Sequence, residues 1–144
     1  MMKQAIKLAK ETVDEIPVGA IIVKDGKIIA KASNRREKDN DITCHAEILA
    51  LKEAGRILES WHMEECEMYV TLEPCPMCAW AILQSRIKTV YFGSYNPKYG
   101  AFGSVINLAD ISDYKPKIYG GIMEKECDEI LESFWTKKRS NQRQ

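Results

Sequence analysis

The stretch Met68-Tyr69-Val70-Thr71-Leu72-Glu73-Pro74-Cys75-Pro76-Met77-Cys78-Ala79 changes character in its middle. Its first five residues are an apolar run with aromatic and β-branched side chains, the pattern of a buried strand. Pro74 and Pro76 then open a helix, where proline is tolerated because the first-turn N–H groups have no intrahelical partner. Two cysteines fall at the handover, three positions apart. A strand that runs straight into a helix, with another apolar run at Ile87 to Phe92, sets the alternation from which the rest of the chain is read.

Working back from it, Met2, Ala5, Ile6, Ala9 and Val13 recur at helical spacing, and Pro17 ends that first helix. Val18 to Val23 and Lys27 to Ser33 read as strands, joined by the tight-turn signal Lys24-Asp25-Gly26. After a charged loop, Arg35 to Asp41, either Asp41 or Thr43 is placed to cap a helix running from His45 to Leu58. Glu59 to Glu67 reads as an acidic loop. Working forward, Gly93 to Gly103 is a glycine-punctuated loop and Lys117 to Ile122 a fifth strand. The last helix carries Met123, Cys127, Ile130, Leu131 and Phe134 on one stripe, with Lys137-Lys138-Arg139 at its negative end. The predicted fold is α/β: a three-layer α/β/α domain on a mixed five-stranded sheet. One domain spans 1–144, with a basic tail from residue 137 that includes Arg143.

Composition narrows the possibilities. At 45% hydrophobic and 29% charged, the chain is neither disordered nor collagenous. No apolar run approaches the roughly 18–20 residues of a membrane span, and the first residues interleave lysine with apolar side chains. The expectation is a cytoplasmic protein with no membrane partner. Basic and acidic residues balance at 21 each, so any nucleic acid is met through a local patch. Five cysteines, two of them as Cys75-x-x-Cys78, point to metal or redox chemistry before a disulfide framework.

His45, Cys75 and Cys78 form the candidate metal set. Thiols at i and i+3 in a helix's first turn can face one ion, and the positive helix end favours thiolate. One imidazole and two thiolates suit zinc, and an open fourth position marks a catalytic ion, whose bound water loses a proton near neutral pH. Glu47 follows His45 by two residues and points elsewhere, so it is free for general acid–base work. A redox pair leaves His45-Ala46-Glu47 unexplained, and a structural site requires a fourth ligand. Cys44, Cys66 and Cys127 read as buried thiols, His62 as a loop residue, and Trp80 and Ile82 as core.

The pairing of His45-Ala46-Glu47 with Pro74-Cys75-x-x-Cys78 is a signature of zinc nucleobase deaminases. Ile16 to Ala20, Asn34-Arg35, Thr71 to Ala79, Ser85-Arg86-Ile87, Gly100 to Ser104 and Phe134-Trp135-x-Lys137-x-Arg139 resemble the bacterial tRNA adenosine deaminases, in order and over most of the chain. The resemblance implies a cytidine-deaminase-like fold and one Zn²⁺ per subunit on His45, Cys75 and Cys78, with Glu47 shuttling the proton. It implies that Asn34 hydrogen-bonds the purine, and that Val18, Ala46, Leu72 and Glu73 shape its pocket. It further implies a homodimer acting on the wobble adenosine of a tRNA anticodon stem-loop, converting it to inosine. Tyr95, Asn96, Lys98, Phe134, Lys137, Lys138 and Arg139 are then the candidate RNA contacts. The chain departs from the family in reading Asp41-Ile42-Thr43-Cys44 before His45 and in carrying Asn96 where Asp is frequent. Two other functions compete: a deaminase of a free base or nucleoside such as guanine or cytosine, and a non-catalytic zinc-stabilised binding module.

Overall fold

Asp25 and Gly26 take positive φ values of 51° and 75°. That backbone matches the twist of a two-residue hairpin, so β1 (Gly19–Lys24) folds back as β2 (Lys27–Ser33). In the computed structural model, which describes residues 1–142, the hairpin is one side of a five-stranded sheet of order β2-β1-β3-β4-β5. β3 (Cys66–Leu72) pairs antiparallel with β1, whereas β4 (Thr89–Ser94) and β5 (Lys117–Tyr119) continue parallel to it. Arg143 lies outside the described residues.

Helices cover both faces, as the alternation requires. α2 (Ala46–Leu58) and α3 (Pro76–Gln84) bury Ala46, Ala50, Ala79 and Ile82 against Ala20, Ile22, Met68, Val70, Val90 and Phe92. On the other face, α1 (Met2–Lys10) and α4 (Glu124–Gln142) close over Tyr69 and Tyr91 with Met2, Ala5, Ile6 and Cys127. Tyr69, Tyr91 and Tyr119 stack across three strands beneath them. The expected three-layer α/β/α arrangement is the observed one.

Several local expectations give way to tertiary contacts. Neither Asp41 nor Thr43 caps α2: Asp41 accepts from both the backbone N–H and the hydroxyl of Thr43, and His45 occupies the N-cap position. β3 begins at Cys66, so the acidic loop is two residues shorter than its charge implies, because Cys66 pairs with Lys24 and is buried. β4 starts at Thr89, two residues after Ile87, and ends at Ser94. Ile87 itself is fully buried beside the sheet. Trp80 is not core. It is 38% exposed on α3 while Ile82, two residues on, is buried, since a helix lying on a sheet hides only one stripe.

α4 is fastened near its start and free at its end. The Ser94 hydroxyl donates to Asp128 at 2.6 Å, and Cys127 packs into the space left by Gly93. Beyond Phe134 the helix runs into solvent, exposing Lys137, Lys138 and Arg139. α1 is seated more tightly: a Cβ on Gly19 would stand 2.9 Å from the Ala9 backbone nitrogen and collide with the Ala5 carbonyl. Backbone cannot swing aside as a side chain can. Gly19→Ala is therefore expected to destabilise the fold by about 1–3 kcal/mol, read as a lower urea midpoint with unchanged slope. An unaltered midpoint would show that α1 is not held against β1.

Candidate metal centre and active site

Each proposed ligand occupies the beginning of a helix. His45 is the N-cap of α2, Cys75 the N-cap of α3, and Cys78 lies in the first turn of α3, two residues after Pro76 at its opening position. Both caps have extended backbone, with ψ of 151° and 171°, so neither interrupts the helix it starts. Neither His45 nor Cys75 bonds back to its own helix through its side chain, so both are left facing the space between the three donors at the helices' positive ends.

His45 Nδ1 lies 3.7 Å from Cys75 Sγ and 3.4 Å from Cys78 Sγ. Around a tetrahedral zinc with ordinary bond lengths, nitrogen and sulfur stand about 3.6 Å apart. The three donors lie within 4.8 Å of one another, and among the described residues no further His, Cys, Asp or Glu joins them. Donor chemistry and spacing both fit zinc. A structural zinc site would draw its fourth ligand from Cys44, Cys66 or His62, and Cys66 is buried at the start of β3. His62 is stacked on Trp61 and paired with Glu64 in an exposed loop. Cys44 is buried, and with Cys66 and Cys127 it answers to the expectation of an apolar thiol.

The protons around these ligands are already arranged for a cation. A hydrogen bond from Cys78 pulls the Cys75 thiol down to about 4, and the proton kept beside that thiolate raises Cys78. The bond to Cys75 also raises His45. Both sulfurs lie at the start of α3, and a divalent ion between them would displace the remaining proton and hold both as thiolates. Glu47 lies in the first turn of α2, 4% exposed, and burial pushes its carboxyl up to about 7. Its side chain is within hydrogen-bonding reach of Cys78. A carboxyl poised near neutrality can both take and give a proton.

Asn34 ties the site's wall together. Its Nδ2 donates to the Ile16 carbonyl at 2.9 Å, its Oδ1 accepts from Ala46 N–H at 2.8 Å, and its backbone N–H donates to the Val18 carbonyl. One amide thereby fixes the first turn of α2 from twelve residues away. A second Nδ2 proton remains to be offered to a base. Leu72 lies half-buried at the end of β3. The Glu73 side chain is turned away from this wall and spent on the loop 96–104, where it accepts from Asn96, Phe102 and Ser104.

The candidate RNA contacts fall in two places. In the loop after β4, Tyr95 stands edge-on to Phe92 with its ring half exposed, and Lys98 lies over the Tyr99 ring in solvent. The Asn96 oxygen accepts from the N–H groups of Lys98 and Tyr99, closing a turn and leaving its amide nitrogen as a donor. On α4, Phe134, Lys137 and Lys138 line a groove of about 770 Å³ that Lys10, Val13, Glu15 and Pro17 also line. Arg139 is exposed at its end.

Sequence reasoning missed Glu15. It is buried and accepts the N–H groups of Glu37 and Lys38 at 3.1 and 2.9 Å, anchoring the loop that leads to His45. A carboxylate satisfied only by distant backbone leaves no pattern along the chain. The exposure of Trp80 was likewise hidden, and it marks a second feature. A largely apolar groove of about 730 Å³ runs between α2 and α3, lined by Ile48, Leu51, Trp61, Trp80, Ile111 and Tyr114.

Comparison with known proteins agrees with the geometry. Residues 1–94 match the cytidine and deoxycytidylate deaminase zinc-binding region. The tRNA-specific adenosine deaminase of Bacillus subtilis is 40% identical over 146 residues, covering 99% of this chain and 91% of that protein. That of Aquifex aeolicus is 44% identical over 143 residues, covering 97% and 95%. A solved structure from work on A-to-I editing by tRNA:A34 deaminases at the wobble position of transfer RNA superimposes with a TM-score of 0.88. It shares 40% identity and covers 90% of this chain and 97% of its own. A helix-capping His/Cys/Cys set, a buried glutamate beside it and similarity over nearly the whole length lead to one assignment: the chain belongs to the cytidine and deoxycytidylate deaminase family, among the tRNA-specific adenosine deaminases.

Proposed function

We propose that this protein deaminates adenosine to inosine at the wobble position of a tRNA anticodon, using one zinc ion per chain. The observation that carries the chemistry is the near-tetrahedral spacing of His45, Cys75 and Cys78 with a buried, proton-holding Glu47 beside them. The choice of tRNA rests on the full-length likeness to enzymes named for that substrate.

Bound by those three side chains, zinc supplies Lewis acidity that activates water at neutral pH. Glu47 takes a proton from the attacking water and delivers it to the ring nitrogen next to C6. It then passes the second proton to the exocyclic nitrogen, which leaves as ammonia. Val18, Asn34, Ala46 and Leu72 wall the pocket for the unstacked base, with Asn34 donating its remaining amide proton. Tyr95 and Phe134 offer rings to flanking bases, while Lys98, Lys137, Lys138 and Arg139 face phosphate and Asn96 presents its amide to the backbone. A neutral chain meets a polyanion through these local cations.

The protein works as a homodimer in this reading. The apolar groove between α2 and α3 takes a second copy, which the zero net charge does not repel, and those helices carry the metal ligands at their beginnings. No described helix is long and apolar enough to cross a membrane, and all five cysteines are free thiols. Both fit a cytoplasmic enzyme working on tRNA.

Incubation with an unmodified arginine tRNA bearing adenosine at the wobble position is expected to give inosine by sequencing, and chelation is expected to stop it. Glu47→Gln should keep its zinc and its fold yet lose about 10²–10⁴-fold in rate. Turnover of free guanine or cytosine with the tRNA unchanged would replace this function with the free-base one. Neutralising Lys137, Lys138 and Arg139 should weaken tRNA binding and flatten its log–log salt dependence by about 0.7 per lost phosphate contact. An identical slope removes the tail from the interface. Trp80→Glu is expected to sediment as a monomer where the parent chain is a dimer, and a dimeric variant would move the interface elsewhere.

A further inference from the structure

Glu73 is 1% exposed, yet it lies two residues before a metal ligand and makes no contact with the metal set. Its oxygens are filled by one loop. Oε1 accepts from the Asn96 N–H at 3.1 Å and from the Ser104 hydroxyl. Oε2 accepts from the N–H groups of Phe102 and Ser104 at 3.0 and 3.1 Å. These donors come from both ends of the segment 96–104, so the carboxylate closes it as a clasp. Gly100 allows the fit, since a Cβ there would stand 2.5 Å from Glu73 Cδ. The neighbouring backbone is engaged as well: Ala101 N–H donates to the Pro74 carbonyl and Glu73 N–H to the Ser94 carbonyl.

The clasp joins two things that the chain separates by more than twenty residues. One is the turn holding Cys75; the other is the loop displaying Tyr95, Asn96 and Lys98. A loop closed only by its own backbone would sample many shapes, and a buried acceptor charge meeting several donors restricts it to one.

We propose that Glu73 is a positioning residue for RNA: its buried carboxylate fixes the 96–104 loop to the metal-ligand turn and so sets the affinity for the anticodon stem-loop. This rests on the tRNA reading above. Glutamine is the informative replacement. It keeps the shape but turns one acceptor into an NH₂ donor, facing either the N–H groups of Phe102 and Ser104 or that of Asn96.

The test uses the full-length zinc-loaded chain with Glu73→Gln and, as a milder lesion, Ser104→Ala. Three quantities are measured: zinc content, hydrogen exchange at the amides of Asn96, Phe102 and Ser104, and kcat and KM on an anticodon stem-loop with wobble adenosine. Glu73→Gln is expected to hold one zinc, to exchange those amides at least about tenfold faster, and to raise KM about tenfold or more with kcat within about threefold. Ser104→Ala should shift exchange and KM the same way by less. Should Glu73→Gln not fold, a raised KM and faster exchange in Ser104→Ala still support the clasp, and parent-like values overturn it. Loss of kcat or zinc with KM and exchange unchanged also overturns it. A parent chain that binds the stem-loop without converting it would defeat the tRNA-deaminase function while the affinity comparison still decides the clasp. A parent chain that does not bind the stem-loop defeats both.

Discussion

Two helices begin side by side, and the site depends on what lies between their positive ends. α2 opens at His45 and α3 at Cys75, and neither of these cap side chains bonds back to its own helix. Negative charge is therefore favoured in the gap, and the Cys75 thiol, held near 4 by its bond from Cys78, supplies it. Two sulfurs and an imidazole nitrogen at zinc-like separations follow from the same convergence. β2 and β3 run the same way, each antiparallel to β1 between them, so the helices that follow them, α2 and α3, start at the same end of the sheet.

Three buried glutamates show how environment assigns different work to one side chain. Glu47 lies beside the metal ligands, and burial raises its carboxyl towards neutrality, which suits proton transfer. Glu15 and Glu73 are as thoroughly enclosed but are met by backbone N–H groups, so they act as fixed acceptors that shape loops. One loop leads into His45 and the other follows β4. The Glu47 carboxyl is thus flanked by segments that two other carboxylates hold in place.

Much of the fold was legible because its signals are local. Asp25-Gly26 announced the hairpin, Pro76 the start of α3, and the spacing of Met2, Ala5, Ile6 and Ala9 the buried stripe of α1, although the helix stops at Lys10, well before Pro17, and Val13, read on the same stripe, is exposed beyond it. The metal set was legible as well, since Cys75 and Cys78 share a helix turn and His45 leads a helix of its own. The cap of α2 was not. Asp41 and Thr43 are the residue types that cap helices, but they satisfy each other, and the Ala46 N–H is met by Asn34 on the far side of a loop. Trp80 misled for a related reason: apolar character puts a residue in the core by default, and only the sheet's position shows which stripe of α3 is covered.

Pattern along the chain thus determined the order of helices and strands, the hairpin, the three ligand types and the glutamate beside them, because each follows from neighbours within a turn or two. Tertiary structure alone decided that Asn34 closes the start of α2, that Glu15 and Glu73 hold the loops, and that an apolar groove opens between α2 and α3. Those arrangements match donors and acceptors lying 12 to 31 residues apart. A partner that distant is chosen by the folded geometry, and no spacing rule records it.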